Sequence, residues 1–310
     1  MEIIVLGAGA IGTLYGAKLA SMNEVTLVGR ADHVRAIEEN GLQIEGIENQ
    51  TVRVRATTRV EEIKPNTLIL LTTKVPATAA ALEPIASLVR DDTTIVALQN
   101  GWNSEQVARA AVQNRGVVLR GISQFGAIFE RPGAVRYMVK GYTLLEKHER
   151  SGPISEVLNR AGLDCRISGA ITAEVWRKLT FNCVVNPITT ILRSEVGQIV
   201  DPELNRLKQM VIDECVAVAA TQGVSLNADL LAEINEAYAG SHNIVSMQQD
   251  LERGRTTEID YLNGAVVELG AKRGIQCPAN DVLTKIIKGM EARSREGVLP
   301  KVHASTAARG

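Results

Sequence analysis

Short apolar runs alternate with amphipathic stretches along the first half of the chain, at residues 3–6, 25–28, 68–71, 95–98 and 117–119. Near-continuous apolar strands separated by helical stretches predict a parallel sheet covered by helices. Residues 42–44 and 51–55, separated by Glu45-Gly46-Ile47-Glu48-Asn49, read as an inserted hairpin. Residues 135–139 and 142–145, split by Lys140-Gly141, read as a further antiparallel pair at the sheet edge. After Ser151 the strand signal fades. Residues 171–193, 201–222, 226–238, 243–253, 256–273 and 279–292 carry helical periodicity, punctuated by Asp201-Pro202, Gly223, Gly240, Gly254 and the stretch from Gly274 to Pro278. The second half is therefore expected to be all-helical. The boundary falls at residues 162–169, a cleft between the halves is the expected binding site, and the residues from about Val298 read as a loose tail.

One helical stretch breaks its own apolar pattern. In Trp176-Arg-Lys-Leu-Thr-Phe-Asn-Cys-Val-Val-Asn-Pro187, the side chains of Lys178, Asn182 and Asn186 recur every four residues and share one helix face. A cation and two amides among Val, Leu and Phe are costly to bury without partners. They form either a solvated stripe on a surface helix or the lining of a polar site. Pro187 has no N–H and is expected to kink or end the helix just after Asn186.

Bulk properties narrow the function classes. At 310 residues the chain exceeds what one core usually organises. Balanced charge, 34 basic against 35 acidic residues with a net of -1, gives no field to gather nucleic acid or an anionic membrane. Cys165, Cys183, Cys215 and Cys277 lie far apart, and the four histidines show no metal-ligand spacing, which argues against a metal and against a disulfide framework. A basic leader and a membrane-length apolar run are both missing from the pattern, so a cytoplasmic location is expected.

The first strand runs directly into Gly7-Ala8-Gly9-Ala10-Ile11-Gly12, with a helix expected from Ala10. Gly-x-Gly-x-x-Gly between a strand and a helix marks a dinucleotide loop. The first glycine permits the turn, the second admits the pyrophosphate, and the third lets helix and strand close, while the helix amino terminus attracts phosphate. The fold class is thus α/β: an amino-terminal Rossmann-type dinucleotide-binding domain over residues 1–168, followed by an all-helical carboxy-terminal domain over residues 169–310. At the end of the second strand, where an NAD site carries an acid, the chain has Gly29-Arg30; an arginine fork suits a 2'-phosphate and favours NADPH. Asp32 is read as the cap of the following helix. Lys74 and Asn100 close two further strands, at the end where ligands of open parallel sheets bind. Taken singly, each reads as a solvated or turn residue; together they are candidates for the nicotinamide and substrate edge.

The glycine motif, Lys74, Asn100-Gly101, the Lys178 ladder ending in Asn186-Pro187, Ser246-Met-Gln-Gln-Asp250 and Gly254-Arg-Thr-Thr-Glu-Ile-Asp-Tyr-Leu-Asn-Gly264 keep an order and spacing that closely resemble ketopantoate reductases, from residue 1 to about 293. The resemblance implies NADPH-dependent reduction of a small 2-oxo acid, 2-dehydropantoate, to (R)-pantoate. It implies Lys178 as general acid and Glu258 as substrate-orienting carboxylate. Asn182, Asn186, Asn243 and Ser246 would hold the substrate's hydroxyl and carboxylate, with Lys74 and Asn100 beside the nicotinamide. Read without the resemblance, Glu258 is a helix-start acid, Asp260 completes a capping box with Thr257, and Asn243 and Ser246 are ordinary helix-start residues. Departures from the family pattern stand at Trp102, at Tyr137 and at Arg193-Ser-Glu-Val-Gly197, where changes could reshape the acid's pocket. The competing readings are a reductase of another branched 2-oxo acid on the same frame and a non-catalytic NADP sensor. The long apolar helices leave room for a homodimer.

Overall fold

The structure, a computed structural model, describes residues 1–226 and 229–295. Packing divides the chain into two compact units, Met1–Ile171 and Thr172–Gly310. No helix among the described residues is long and apolar enough to cross a membrane. The tail expected from Val298 lies outside the described residues.

In the first unit the strands are β1 (Glu2–Leu6), β2 (Glu24–Val28), β3 (Leu42–Gly46), β4 (Gln50–Val52), β5 (Arg55–Thr57), β6 (Leu68–Leu71), β7 (Thr94–Ala97), β8 (Val117–Ser123), β9 (Gly126–Arg131), β10 (Ala134–Val139), β11 (Thr143–Glu146) and β12 (Cys165–Ser168). The main sheet has the order β12-β11-β8-β7-β6-β1-β2-β5. From β8 to β5 every pairing is parallel; β11 runs antiparallel to β8, and β12 runs parallel to β11. Alternate residues of the central strands feed two separate cores. Ile3, Val5, Leu27, Leu70 and Val96 pack with Leu14 and Leu19 of the Ala10–Ala20 helix and with Val135 of the smaller sheet. Ile4, Leu6, Ile69, Leu71 and Ile95 pack with Leu82, Ile85 and Ala108 on the other face. Burial on both faces is why these strands read as unbroken apolar runs.

The edge of this unit differs from expectation. Residues 135–139 and 142–145 are not partners: β10 joins a second sheet of order β4-β3-β10-β9, whereas β11 joins β8 in the main sheet. Tyr142 already belongs to the main sheet's edge, its carbonyl accepting from the Gln124 N–H at 2.9 Å, so Lys140-Gly141 is a crossing between sheets rather than a hairpin turn. The true hairpin partner of β10 is β9, a strand the periodicity did not show, closed by Pro132-Gly133 with Gly133 at φ +80°. The expected hairpin at 42–44 and 51–55 forms as β3 and β4, but its last residue, Arg55, begins a separate strand that pairs with β2. Cys165–Ser168 is a strand where only a boundary segment was expected. Asp32 is not the helix cap: Arg30 takes that position, and the Asp32 carboxylate accepts from the His33 N–H at 2.9 Å.

The second unit is helical: Ile171–Leu192, Asn205–Ala220, Leu230–Tyr238, Ser246–Glu252, Asn263–Ala271 and Pro278–Arg295, with short 3-10 turns at Val196–Val200, Pro202–Leu204 and Ile259–Tyr261. Pro187 neither ends the helix nor closes it after Asn186; the helix continues through the proline to Leu192. The stretch from 256 to 273 is split, because the 3-10 turn and the non-helical Leu262 backbone (φ -108°, ψ -102°) separate Glu258 from the helix that starts at Asn263.

A buried histidine joins three parts of the first unit. The Gly133 N–H donates to His33 Nδ1 at 2.9 Å, which places the ring proton on Nε2, 3.2 Å from the Thr13 hydroxyl in the first turns of the Ala10–Ala20 helix. Burial depresses the His33 pKa below 6.5, and Asp32 opposes the shift. The unfolded chain therefore takes up the proton first as pH falls. The contribution of neutral His33 is intact above about pH 6.5 and declines below it, by at most about 1.4 kcal/mol per pH unit. Thermal unfolding followed from pH 7 to pH 5 should show this loss. His33→Gln, which can donate and accept at similar positions, should flatten the slope; an unchanged slope would assign it to other groups.

Candidate active site

The carboxyl ends of four adjacent strands, β7, β6, β1 and β2, carry all the candidate dinucleotide residues. From β1 the chain passes first to β2 on one side and later to β6 on the other, the switch point at which open α/β sheets bind ligands. Gly7 turns there with φ +109°, and Gly9 is the amino-terminal cap of the Ala10–Ala20 helix. The N–H groups of Ala10, Ile11 and Gly12 precede the first helical acceptor and are free to meet an anion. Ala8 is tied back to the sheet, its N–H donating to Val28 O at 2.9 Å. Arg30 follows β2 and is exposed, while the neighbouring Gly29 N–H donates to Thr57 O at 3.0 Å and fixes the strand end.

Lys74 and Asn100 are positioned by side chains that the sequence did not single out. Gln99 is buried, and its amide nitrogen reaches Thr73 O at 2.9 Å, Thr73 Oγ1 at 3.0 Å and Thr78 Oγ1 at 2.7 Å, lacing the end of β7 to the loop that holds Lys74. Lys74 itself is partly buried and caps the 3-10 turn Val75–Ala77. Arg120, buried in β8, donates from Nη2 to Gln99 O at 3.1 Å and to Gly101 O at 2.9 Å, gripping the carbonyls on either side of Asn100. Burial pulls the Arg120 pKa down, and Glu105, 3.5 Å from Nη1, opposes that. A buried arginine in mid-strand is a signal that nearby backbone carbonyls need donors, but it reads as a surface charge until β8 is known to lie inside the sheet.

In the second unit, the Ile171–Leu192 helix presents Lys178 and Asn182 partly buried and Asn186 at 9% exposure. The ladder is therefore not a solvated stripe; its polar groups sink toward the proline. Among the described residues no side-chain hydrogen bond engages Asn182 or Asn186, which leaves both amides able to take a ligand. Arg177, on another face, pairs with Glu233 at 2.7 Å and lies over the Phe181 ring. Asn243 and Ser246 stand on the segment leading into the Ser246–Glu252 helix. That segment is fixed by Val196 N–H to Asn243 O at 2.8 Å and Gly197 N–H to Ser241 O at 2.7 Å. Neither residue caps the helix, whose cap is Val245.

Glu258 is partly buried and precedes the three-residue 3-10 turn rather than a long helix, which removes the helix-start account of this acid. Thr257, beside it, is clamped by buried Glu291, whose Oε1 accepts from the Thr257 N–H at 2.7 Å and its hydroxyl at 2.6 Å. Asp260 completes no capping box; both its oxygens lie 2.9 Å from Lys288 Nζ. Tyr137 is 2% exposed in the core of the first unit, beside Phe125 and under Lys18, so this departure from the family pattern is a packing residue of that core.

A glycine loop at a sheet switch point and an ammonium with two open amides are the parts of a nicotinamide dinucleotide-dependent oxidoreductase. The comparisons with known proteins agree. Family models described as ketopantoate reductase PanE/ApbA and its C-terminal part match residues 3–150 and 170–291. A 2-dehydropantoate 2-reductase of Pyrococcus horikoshii is 36% identical over 302 residues, 94% of this chain and 98% of the relative. Two solved structures share the fold: a PanE/ApbA family ketopantoate reductase from Ralstonia eutropha (TM-score 0.87, 29% identity, 95% of this chain, 100% of the other) and a D-mandelate dehydrogenase with NADH and anilino(oxo)acetate (TM-score 0.88, 28% identity, 95% and 99%). The chain belongs to the ketopantoate reductase family.

The loop makes two glycines separable by experiment. A Cβ on Gly12 would collide with Gly7 O and Thr72 Oγ1, whereas a Cβ on Gly9 meets nothing within 4 Å on the protein side. Gly12→Ala should lower the melting temperature by several degrees, the scale of about 1–3 kcal/mol of overpacking. Gly9→Ala should melt like the parent yet bind the dinucleotide at least about tenfold more weakly, because its methyl enters the phosphate's space. Paired calorimetry and titration decide it; equal behaviour of the two variants contradicts these roles.

Proposed function

We propose that this chain reduces 2-dehydropantoate to (R)-pantoate with NADPH, in the cytoplasm, as a step of pantothenate biosynthesis. The Lys178-Asn182-Asn186 ladder, one cation and two open amides on a single helix face, is the observation that carries this reading. NADPH supplies the hydride when bound. As the C2–H bond forms, the carbonyl π pair moves onto oxygen; Lys178 stabilises that charge and delivers the proton from Nζ, which solvent later replaces. Asn182 and Asn186 pair with the substrate's hydroxyl and carboxylate because amides both donate and accept. Asn243 and Ser246 add donors to the same groups, and Glu258 orients the substrate.

For the cofactor, the loop of Gly7, Ala8, Gly9, Ala10, Ile11 and Gly12 cradles the pyrophosphate, with the N–H groups of Ala10, Ile11 and Gly12 donating to it, and Arg30 takes the 2'-phosphate that selects NADPH over NADH. Lys74 and Asn100 complete the nicotinamide side. The reading includes pairing of two copies, which sedimentation distinguishes from the 33.4 kDa monomer. A second reading, reduction of another 2-oxo acid, is favoured by the structural likeness to a D-mandelate dehydrogenase.

A panel of 2-oxo acids, assayed with NADPH and with NADH, separates the two readings. The primary one expects the highest kcat/KM for 2-dehydropantoate with NADPH; a higher value for an aryl 2-oxo acid would establish the alternative. Lys178→Ala should lower kcat by about 10²- to 10⁴-fold, and undiminished turnover would refute the acid's assignment.

A further inference from the structure

Pro187 sits inside the Ile171–Leu192 helix, so the carbonyl four residues earlier, that of Cys183, has no intrahelical N–H to accept. That carbonyl belongs to the turn between Asn182 and Asn186, and Cys183 is fully buried, where an unpaired carbonyl is costly. Asn263 supplies the missing donor. Its side-chain nitrogen lies 2.9 Å from Cys183 O and 2.9 Å from Asn280 Oδ1, using both amide hydrogens. Asn280 in turn donates from Nδ2 to Glu214 at 2.7 Å, and Glu214 accepts the Ala279 and Asn280 N–H groups at 2.8 Å and 2.9 Å. Asn263 and Asn280 are both fully buried.

The geometry points to Asn263 as a positioning residue for the reduction: it replaces the hydrogen bond that Pro187 removes and thereby sets the Lys178-Asn182-Asn186 face against the segment bearing Glu258. This inference rests on the function proposed above. Asn263 follows Glu258 by five residues, across the Ile259–Tyr261 turn, and Thr257 on the other side is held by Glu291. Glu258 is thus bracketed by two anchors, and one of them is the ladder helix itself. An ordinary core asparagine would also lower stability when lost, but it would not be relieved by a change at residue 187. The tether would be, since Pro187→Ala restores a main-chain N–H for Cys183 O.

The test is a cycle of the parent, Asn263→Leu, Pro187→Ala and the double variant, read by kcat, KM and NADPH affinity. The tether predicts that Asn263→Leu lowers kcat about 10- to 100-fold, the scale of a misplacement near 1 Å, with NADPH affinity within about twofold of the parent. It predicts that Pro187→Ala in the double variant recovers kcat at least about fivefold. A parent-like kcat in Asn263→Leu, or a double variant as slow as Asn263→Leu, overturns it. Should Asn263→Leu fail to fold, Asn263→Ser takes its place under the same criteria. If the parent itself does not reduce 2-dehydropantoate, the proposed function fails on its own. The tether is then judged by melting temperature: a double variant that loses less than the two single losses combined supports it, and additive losses overturn it.

Discussion

A proline inside a 22-residue helix, near its carboxyl end, leaves one buried carbonyl without an intrahelical donor, and the amide of Asn263 supplies one. Much of the second unit is arranged around that repair. The amide's second hydrogen goes to Asn280, whose own amide and N–H end on Glu214, so the amino terminus of the Pro278–Arg295 helix is satisfied by the same chain of bonds. The helix that carries the ammonium and the two open amides, and the segment that carries Glu258, are joined by a short, directional contact rather than by apolar packing alone. Apolar packing tolerates sliding; a buried polar bond with one correct partner does not.

The first unit follows the same logic with different groups. Arg120 and Gln99 spend their buried donors on backbone carbonyls and hydroxyls at the ends of β6 and β7, and His33 bridges the nucleotide helix to the smaller sheet. In each case a buried side chain holds a loop that would otherwise have unsatisfied backbone groups. The open N–H groups after Gly9, and the open amides of Asn182 and Asn186, are affordable because neighbouring residues carry the structural bonds.

Local chemistry made part of this legible in the sequence. The glycine loop, the central strands and most helices of the second half depend on spacing within a few residues and stand where periodicity put them; the 256–273 stretch, split by the Ile259–Tyr261 turn, does not. What failed depends on distant pairing. β10 was matched to its neighbour 142–145, although its parallel partner is β3, and β9 lacked a signal because its residues are only partly buried. Of the two outcomes expected at Pro187, an end of the helix just after Asn186 does not occur; nothing near the proline in sequence announces a donor, since Asn263 lies 80 residues beyond Cys183. Glu258 and Asp260 looked like helix-start acids until the 3-10 turn separated them from the helix. Membership in the ketopantoate reductase family was legible as well, since the motifs that carry it are short and keep their order.

The central claim is that Lys178 serves as the acid for a 2-oxo acid held by the asparagine ladder. A crystal of the chain with NADP+ and 2-dehydropantoate tests it most directly. The account predicts Lys178 Nζ within about 3.2 Å of the substrate's C2 oxygen, hydrogen-bond distance for proton delivery, with Asn182 and Asn186 on the substrate's polar groups. A substrate bound with that nitrogen turned to solvent would contradict it.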